Sequence, residues 1–423
     1  MRNKDIVILM CCLIAGCFGL ASAQEMTPPS NEMESRAEKV EAEREAKSLN
    51  LYPPTRNNVE SFMYWYDNQY VLEKALGGWK GFRFGPGYFP AGAGMKFGLS
   101  FTELALFSRY AEDDQPNRID VNANIGYTTR DYLSYSGNLA LRNLGGVPVD
   151  LFLGASHFRY PQEDFFGFGQ DSLEDNRTNY LMESNNFGAE AQWRPHRYVS
   201  LIGGASYLTP EIGTGTDDRY PSTEEVFDSS EIPGFNDQPD FLRLTGKAAF
   251  DWRDNPLHPH RGGFYGLTFS DYQDRDLDSY DFQEYKVELH QYIPLPNRYR
   301  ILALRAATVL TDTRSDQQVP FYYMPTLGGH RDLRGFREFR FRDQNSLVLS
   351  AEYRWEAWWA LDGALFVDAG QVAARRQDLS LKQLDFTYGF GLRFHSNKAF
   401  VFRFDFCFSK EGFIPMLRWE NAF

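Results

Sequence analysis

One segment near the end of the chain alternates strictly between aromatic and polar positions. Phenylalanine takes every second position from Phe400 to Phe408, and Arg403, Asp405 and Cys407 lie between these rings. Because successive side chains of a strand point to opposite faces, the rings share one face and the charges share the other. A wall with lipid outside and a polar lumen inside suits both faces. The pattern therefore predicts a strand of a transmembrane β-barrel.

The same period of two recurs in sixteen segments from Phe82 to Phe423, with turn-forming residues between them. The predicted strands are 82–93, 97–110, 119–128, 131–142, 149–159, 179–193, 196–209, 241–253, 262–273, 280–292, 299–311, 345–356, 359–368, 384–395, 399–409 and 413–423. Short and long connections alternate in the second half, as an even-stranded barrel requires. The sequence predicts an all-β fold, a 16-stranded antiparallel transmembrane β-barrel in residues 82–423.

The inward-facing positions of the predicted strands carry charges of both signs. Glu352 and Arg354 occupy such positions in one strand, and Glu288 and His290 do so in another. Charges in a narrow lumen are tolerated when they are paired. We therefore expect a network of ion pairs inside the barrel.

The start of the chain has the pattern of a secretory signal peptide. The apolar stretch Ile6–Ala21 follows Arg2 and Lys4 and runs into a small-residue cleavage pattern that ends at Ala23. This predicts a signal peptide at residues 1–23. The alternative is cleavage before Cys17, because residues 14–17 resemble the bacterial lipoprotein box, and Cys17 would then be lipidated.

Residues 24–81 form a predicted N-terminal extension in the periplasm. Gln24–Asn50 is dense in charge and lacks an apolar stripe. Val59–Leu76 carries apolar residues at helical spacing and predicts a short amphipathic helix at the periplasmic rim. A disordered lead-in to the first strand is the alternative for this segment.

The composition agrees with a barrel in the bacterial outer membrane. Aromatic residues make up 16% of the chain, yet the mean hydropathy is -0.48. Aromatic belts outside and polar residues inside produce that combination. No apolar run long enough for a helical span follows position 24. The net charge of -13 argues against a nucleic-acid partner, and we expect outer-membrane lipids and lipopolysaccharide as neighbours.

The sequence offers few candidate metal-binding or catalytic residues. His258-Pro259-His260 lies in a predicted turn, and the sequence shows no cysteine or third histidine near it, so we interpret it as turn chemistry and predict no metal site. No Ser/His/Asp arrangement has a recognisable spacing. We expect neither an enzyme nor a cofactor.

The long connection between the eleventh and twelfth predicted strands contains a family motif. Leu333-Arg334-Gly335-Phe336 resembles the Val/Leu-Arg-Gly-Phe/Tyr motif of the BamA/TamA-like barrels, the bacterial surface antigen domain. Residues 366–370 resemble the partner motif Phe-x-Asp-x-Gly of that family. The resemblance covers about Phe82–Phe423, and further matching segments are 166–172, 251–256, 352–354 and 388–394.

The resemblance implies a plug. In the family, the motif loop folds back into the lumen, so Arg334 is expected to enter it. A guanidinium there needs a carboxylate partner. The resemblance assigns this role to Asp368, with help from Glu352, and places Phe366 and Gly370 beside it.

The resemblance also implies an assembly signal at the end of the chain. Barrels of this family end on an aromatic residue that the barrel assembly machinery reads during biogenesis. Here that residue is Phe423, and Leu417 and Trp419 precede it on the same predicted face.

The expected function follows from the family with one departure. Members that insert or secrete proteins carry POTRA domains before the barrel, whereas residues 24–81 are too few and too charged for one. We expect a POTRA-less barrel that assists insertion, translocation or remodelling of outer-membrane components through a lateral seam. The alternatives are a passive or plugged pore, and a structural or anchoring protein that docks a periplasmic partner through Gln24–Asn50.

Overall fold

A computed structural model describes residues 81–85, 93–103, 117–296, 300–358, 361–395, 400–419 and 423. The chain divides into two compact units at Gly77 and Gly78, and all described residues belong to the second unit. The predicted signal peptide, Cys17 and the predicted helix at 59–76 lie outside the described residues.

Sixteen strands form one antiparallel sheet in chain order, and two further strands form a small hairpin inside a loop. The strands are β1 (Phe82–Gly85), β2 (Lys96–Glu103), β3 (Arg118–Thr128), β4 (Leu133–Arg142), β5 (Val149–Phe165), β6 (Thr178–His196), β7 (Val199–Thr214), β8 (Phe241–Asp251), β9 (Gly262–Asp274), β10 (Phe282–Pro294), β11 (Arg300–Thr313), β12 (Thr326–Leu327), β13 (Phe341–Arg342), β14 (Asn345–Trp358), β15 (Leu361–Ala373), β16 (Asp385–His395), β17 (Phe400–Ser409) and β18 (Gly412–Arg418). The hairpin is β12–β13.

Helical structure in the described residues is confined to single turns. The one α-helix among them is Thr223–Val226, and the 3₁₀ turns are Leu144–Gly146, Glu174–Asn176, Ser229–Glu231, Phe321–Tyr323 and Arg376–Asp378. Within the described residues, no helix is both long enough and apolar enough to cross a bilayer.

The predicted count of sixteen antiparallel strands is confirmed. Strands β5, β7 and β15 continue past their predicted ends at residues 159, 209 and 368 to Phe165, Thr214 and Ala373. In β5, Pro161 lies just after the predicted end. The pairing of β5 with β6 shifts register between Tyr160 and Glu163, and such a bulge accommodates a proline that cannot donate to the ladder.

The two faces of the sheet have opposite chemistry, as the alternation in β17 predicts. Arg403, Asp405 and Cys407 are fully buried. On the other face, the rings of Phe402 and Phe406 stack on rings of β16 at centroid distances of 4.3 and 4.7 Å. Charges on the enclosed face and aromatic ladders on the outer face are the arrangement of a wall that separates lipid from a polar interior.

The sheet curls until strands far apart in its order meet. The turn between β8 and β9 reaches β15 and β16, where His258 Nε2 lies 3.5 Å from Asp362 Oδ2. At the opposite end, Gln170 in the β5–β6 loop donates to Asp385 in β16. The described residues include no pairing between β1 and β18.

The acidic connection between β7 and β8 buries part of its apolar side chains. Ile232 and Phe235 in this loop are 5% and 8% exposed and pack with Phe321 and Tyr322 of the β11–β14 loop. Burying these apolar side chains stabilises the docked loop. The carboxylates of the acidic residues around them can still reach water, so their hydration is kept. The two loops therefore share an apolar cluster.

Candidate functional site

The site is built by the long loop between β11 and β14, which folds onto the enclosed face of the sheet. Leu333 and Phe336 are fully buried and pack with Phe341 of the hairpin and with Val348 and Val372 of the wall. Apolar side chains on both sides of the motif thus remove it from water. This burial positions the polar residue between them, Arg334, against the strands.

Arg334 binds two carboxylates of neighbouring strands. Its Nε and Nη2 donate to Asp368 Oδ2 and Oδ1 at 2.8 and 2.9 Å, and its Nη1 donates to Glu352 Oε2 at 2.6 Å. The guanidinium also lies over the ring of Phe366, 3.6 Å from its centroid. Arg334 is 2% exposed. Its bidentate pairing with Asp368 therefore fixes the orientation of the guanidinium and also balances its charge.

Gly335 and Gly370 make this approach sterically possible. A Cβ on Gly335 would lie 2.9 Å from the carbonyl oxygen of Phe408 in β17, and the Gly335 carbonyl accepts a hydrogen bond of 2.6 Å from Ser409 Oγ. A Cβ on Gly370 would lie 3.0 Å from Leu327 and 3.2 Å from Leu333. The structure therefore brings the loop motif and residues 352, 366, 368 and 370 into one place.

The charge cluster extends beyond Arg334, Asp368 and Glu352. Glu352 also accepts from Arg354 at 2.7 Å and from Arg393 at 2.8 Å, and Arg393 donates to Asp405 at 2.5 Å. Arg403 pairs with Asp405 at 3.1 Å and donates to the carbonyl of His330 in the loop at 2.6 Å. The ion-pair network expected inside the barrel is thus confirmed, and β14 to β17 all contribute to it.

Further arginines tie the loop to other parts of the wall. Arg305 of β11 donates to the Arg331 carbonyl at 2.7 Å and to Asp332 at 3.1 Å. Arg340 donates to Glu411 in the β17–β18 turn at 2.7 Å and to the Ser172 carbonyl at 2.6 Å. The loop is therefore attached on several sides of the interior.

The residues of the predicted assembly signal lie in two environments. Leu417 and Trp419 are 48% and 62% exposed on the outer face. Phe423 is instead partly buried against Tyr292, whose hydroxyl donates to the Phe423 carbonyl oxygen at 2.8 Å. Leu417 and Trp419 therefore lie on the outer face, whereas Phe423 contacts the buried Tyr292.

One cluster was missed by the sequence argument, which found no ligand near His258 to complement His260. The structure brings Asp362 and His395 to His258, and their ligand atoms lie within 4.8 Å of one another. Burial, together with the nearby rings of His395 and His260, lowers the pKa of His258 to about 3. No local spacing in the sequence signals this group, because its members lie on separate strands and turns.

The curled antiparallel sheet, with an aromatic outer face and a charged inner face that the β11–β14 loop contacts, is typical of an outer-membrane β-barrel. The family model described as "Omp85 superfamily domain" matches residues 92–412. The chain therefore belongs to the Omp85 superfamily, which confirms the resemblance to BamA/TamA-like barrels. A search of curated proteins gave no match.

Solved structures of the superfamily have a similar fold. BamA from Haemophilus ducreyi lacking POTRA domains 1–3 aligns with a TM-score of 0.58 and 15% identity over 80% of this chain and 70% of that chain. CdiB from Escherichia coli aligns with a TM-score of 0.48 and 11% identity over 79% of this chain and 59% of that chain. At these identities, the first alignment supports the fold alone.

Proposed function

We propose that this protein assists the insertion or remodelling of outer-membrane components through a seam between β1 and β18, while the β11–β14 loop plugs the lumen. The observation that carries the proposal is the shortness of the last strand at this seam. β18 has 7 residues, whereas β6 has 19. Each strand hydrogen bond contributes about 1 kcal/mol net, so a short pairing costs little to open.

The loop contacts support the second half of the proposal. Arg334 is held by Asp368 and Glu352, and Arg340 bridges to the β17–β18 turn. These attachments keep the loop inside while the seam opens beside it. In this arrangement, passage occurs laterally through the wall and not through the lumen.

The decisive experiment measures insertion with the seam locked. The purified protein is reconstituted into liposomes, and the folding rate of an added eight-stranded outer-membrane barrel is followed by its heat-modifiable gel mobility. Disulfides then join outward-facing positions of the seam strands in a Cys407→Ser background, pairing Phe82 or Phe84 with Phe413 or Leu417. We expect the wild type to accelerate folding and the oxidised seam variants to lose this acceleration until they are reduced.

A matched control places the disulfide elsewhere in the wall. Thr245 and Ser270 face each other across β8 and β9, with hydroxyls 3.5 Å apart, so Thr245→Cys with Ser270→Cys locks a pair outside the seam. This variant should accelerate folding in both redox states. Acceleration that survives a locked seam would contradict the lateral route, and a wild type that gives no acceleration would contradict the insertion role.

Planar-bilayer recordings separate this function from a pore. A plugged barrel gives little steady current, and a variant that lacks residues 314–344 should conduct. A steady, porin-like current from the wild type would favour the passive-pore alternative.

A further inference from the structure

The cluster around His258 lies at the end of the sheet that carries the short turns. His258 comes from the β8–β9 turn, Asp362 from the start of β15 and His395 from the end of β16. Short turns of such barrels face the periplasm. Asp362 and His395 lie on the neighbouring strands β15 and β16, whereas the turn that carries His258 belongs to strands far from them in the sheet order. Asp362 is also the cross-strand partner of Arg393, so the cluster adjoins the charge network around Arg334.

His258 is a buried polar side chain without a hydrogen bond. It is 7% exposed, and neither of its ring nitrogens has a hydrogen-bond partner among the described residues. Leaving such a group unsatisfied is costly, and native proteins rarely do so without a reason. Its Nε2 is directed at Asp362, 3.5 Å from Oδ2, and its ring stacks on His395 at a centroid distance of 4.5 Å.

The turn that presents His258 is held by its own side chains. Asp254 Oδ1 accepts from the backbone N–H groups of Asn255, His260 and Arg261 at 2.9, 3.0 and 3.2 Å. Asn255 Oδ1 accepts from the Leu257 N–H at 2.9 Å. His258 therefore comes from a preformed turn, as a binding site requires.

We propose that His258, Asp362 and His395 bind one divalent transition-metal ion of the Zn²⁺ class. Two imidazoles and a carboxylate are a donor set that Zn²⁺ accepts, with water in the fourth position. Tetrahedral bonds of about 2.05 Å hold ligand atoms about 3.3 Å apart. The two histidines approach different oxygens of Asp362, with His395 Nε2 3.3 Å from Oδ1 and His258 Nε2 3.5 Å from Oδ2. One ligand atom from each of the three residues lies within 4.8 Å of the other two, so the side chains would draw together around the ion.

Such an ion would fasten the interior of the barrel at its periplasmic mouth. It satisfies one of the two His258 nitrogens that otherwise lack partners, and it ties the β8–β9 turn to β15 and β16 across the opening. Because Asp362 is the cross-strand partner of Arg393, the ion restrains the part of the wall that also carries the charge network.

The test titrates Zn²⁺ into tag-free wild type that has been refolded in detergent without metal, in competition with a chromophoric chelator. We expect one Zn²⁺ per chain, and we expect His258→Ala and His395→Ala each to weaken binding by at least about tenfold. His196→Ala is the matched control, because His196 is an exposed histidine at the end of β6, on the same side of the sheet as the short turns. The control should bind Zn²⁺ as the wild type does.

Two further readouts keep the result independent of variant folding. Co²⁺ bound to the wild type should give the strong visible absorption of a tetrahedral site. Zn²⁺ should also raise the temperature at which the folded gel band is lost, in the wild type and His196→Ala but not in Asp362→Asn. No stoichiometric binding by the wild type, a weak octahedral Co²⁺ spectrum, or equal affinity in the His258 and His395 variants would overturn the proposal.

Discussion

Replacing Arg334 by alanine should destabilise the docked β11–β14 loop. The size of the loss follows from the hydrogen bonds that the Arg334 side chain makes. The change removes both hydrogen bonds to Asp368 and leaves this fully buried carboxylate with Thr387 Oγ1, 3.2 Å away, as its remaining side-chain donor. Glu352 loses one donor but keeps Arg354 and Arg393. Breaking a buried ion pair costs about 3–5 kcal/mol, and because only one carboxylate is stranded, we expect a loss of about 3 kcal/mol.

Urea unfolding, followed by the heat-modifiable gel band, measures this loss, and bilayer conductance reports release of the loop. Arg337→Ala is the matched control, because Arg337 belongs to the same loop but pairs with Glu174 at 3.4 Å on the surface. An exposed pair contributes about 0–1 kcal/mol, so this variant should unfold and conduct like the wild type. If Arg334→Ala matches the control in both assays, the role given to the buried pair is refuted.

Three other variants test neighbouring features. Gly335→Ala should lower the free energy of unfolding by about 1–3 kcal/mol, because its Cβ meets the Phe408 carbonyl oxygen; Gly137→Ala, with open space around its Cβ, should not. Arg334→Asp combined with Asp368→Arg should recover part of the loss seen in either single variant; additive losses in the urea midpoint would contradict this. Deleting Phe423 should cost at most about 2–3 kcal/mol and permit refolding in detergent, yet leave the protein unfolded or degraded in cells; normal outer-membrane levels would contradict the predicted assembly signal.

The features that the sequence predicted are those encoded within single strands. The alternation in β17 separates Arg403 and Asp405 from the phenylalanines, and burial follows that separation. The contact between Arg334 and Asp368 is different, because only the family motifs linked the two positions. Periodicity alone placed Asp368 inward but gave no partner in a loop.

The missed features depend on the curvature of the sheet. His258 and His395 meet because the wall bends until β8–β9 faces β15–β16, and no pattern in either segment encodes that distance. The contact of Phe423 with Tyr292 is likewise not encoded in the last strand, because Tyr292 lies in β10. Arg393 lies in the matching segment 388–394, but its bonds to both Glu352 and Asp405 require β14, β16 and β17 in register.

The charge network also has a consequence for the order in which the chain folds. All of its members, from Arg334 to Asp405, lie in the last quarter of the sequence. Contacts between nearby segments form faster than distant ones, because less loop entropy is lost. The motif loop and β14 to β17 can therefore form a folded unit before β1 to β10 complete the wall. A loop docked at this stage would be enclosed as the later strands add, and would not need to thread into a finished barrel.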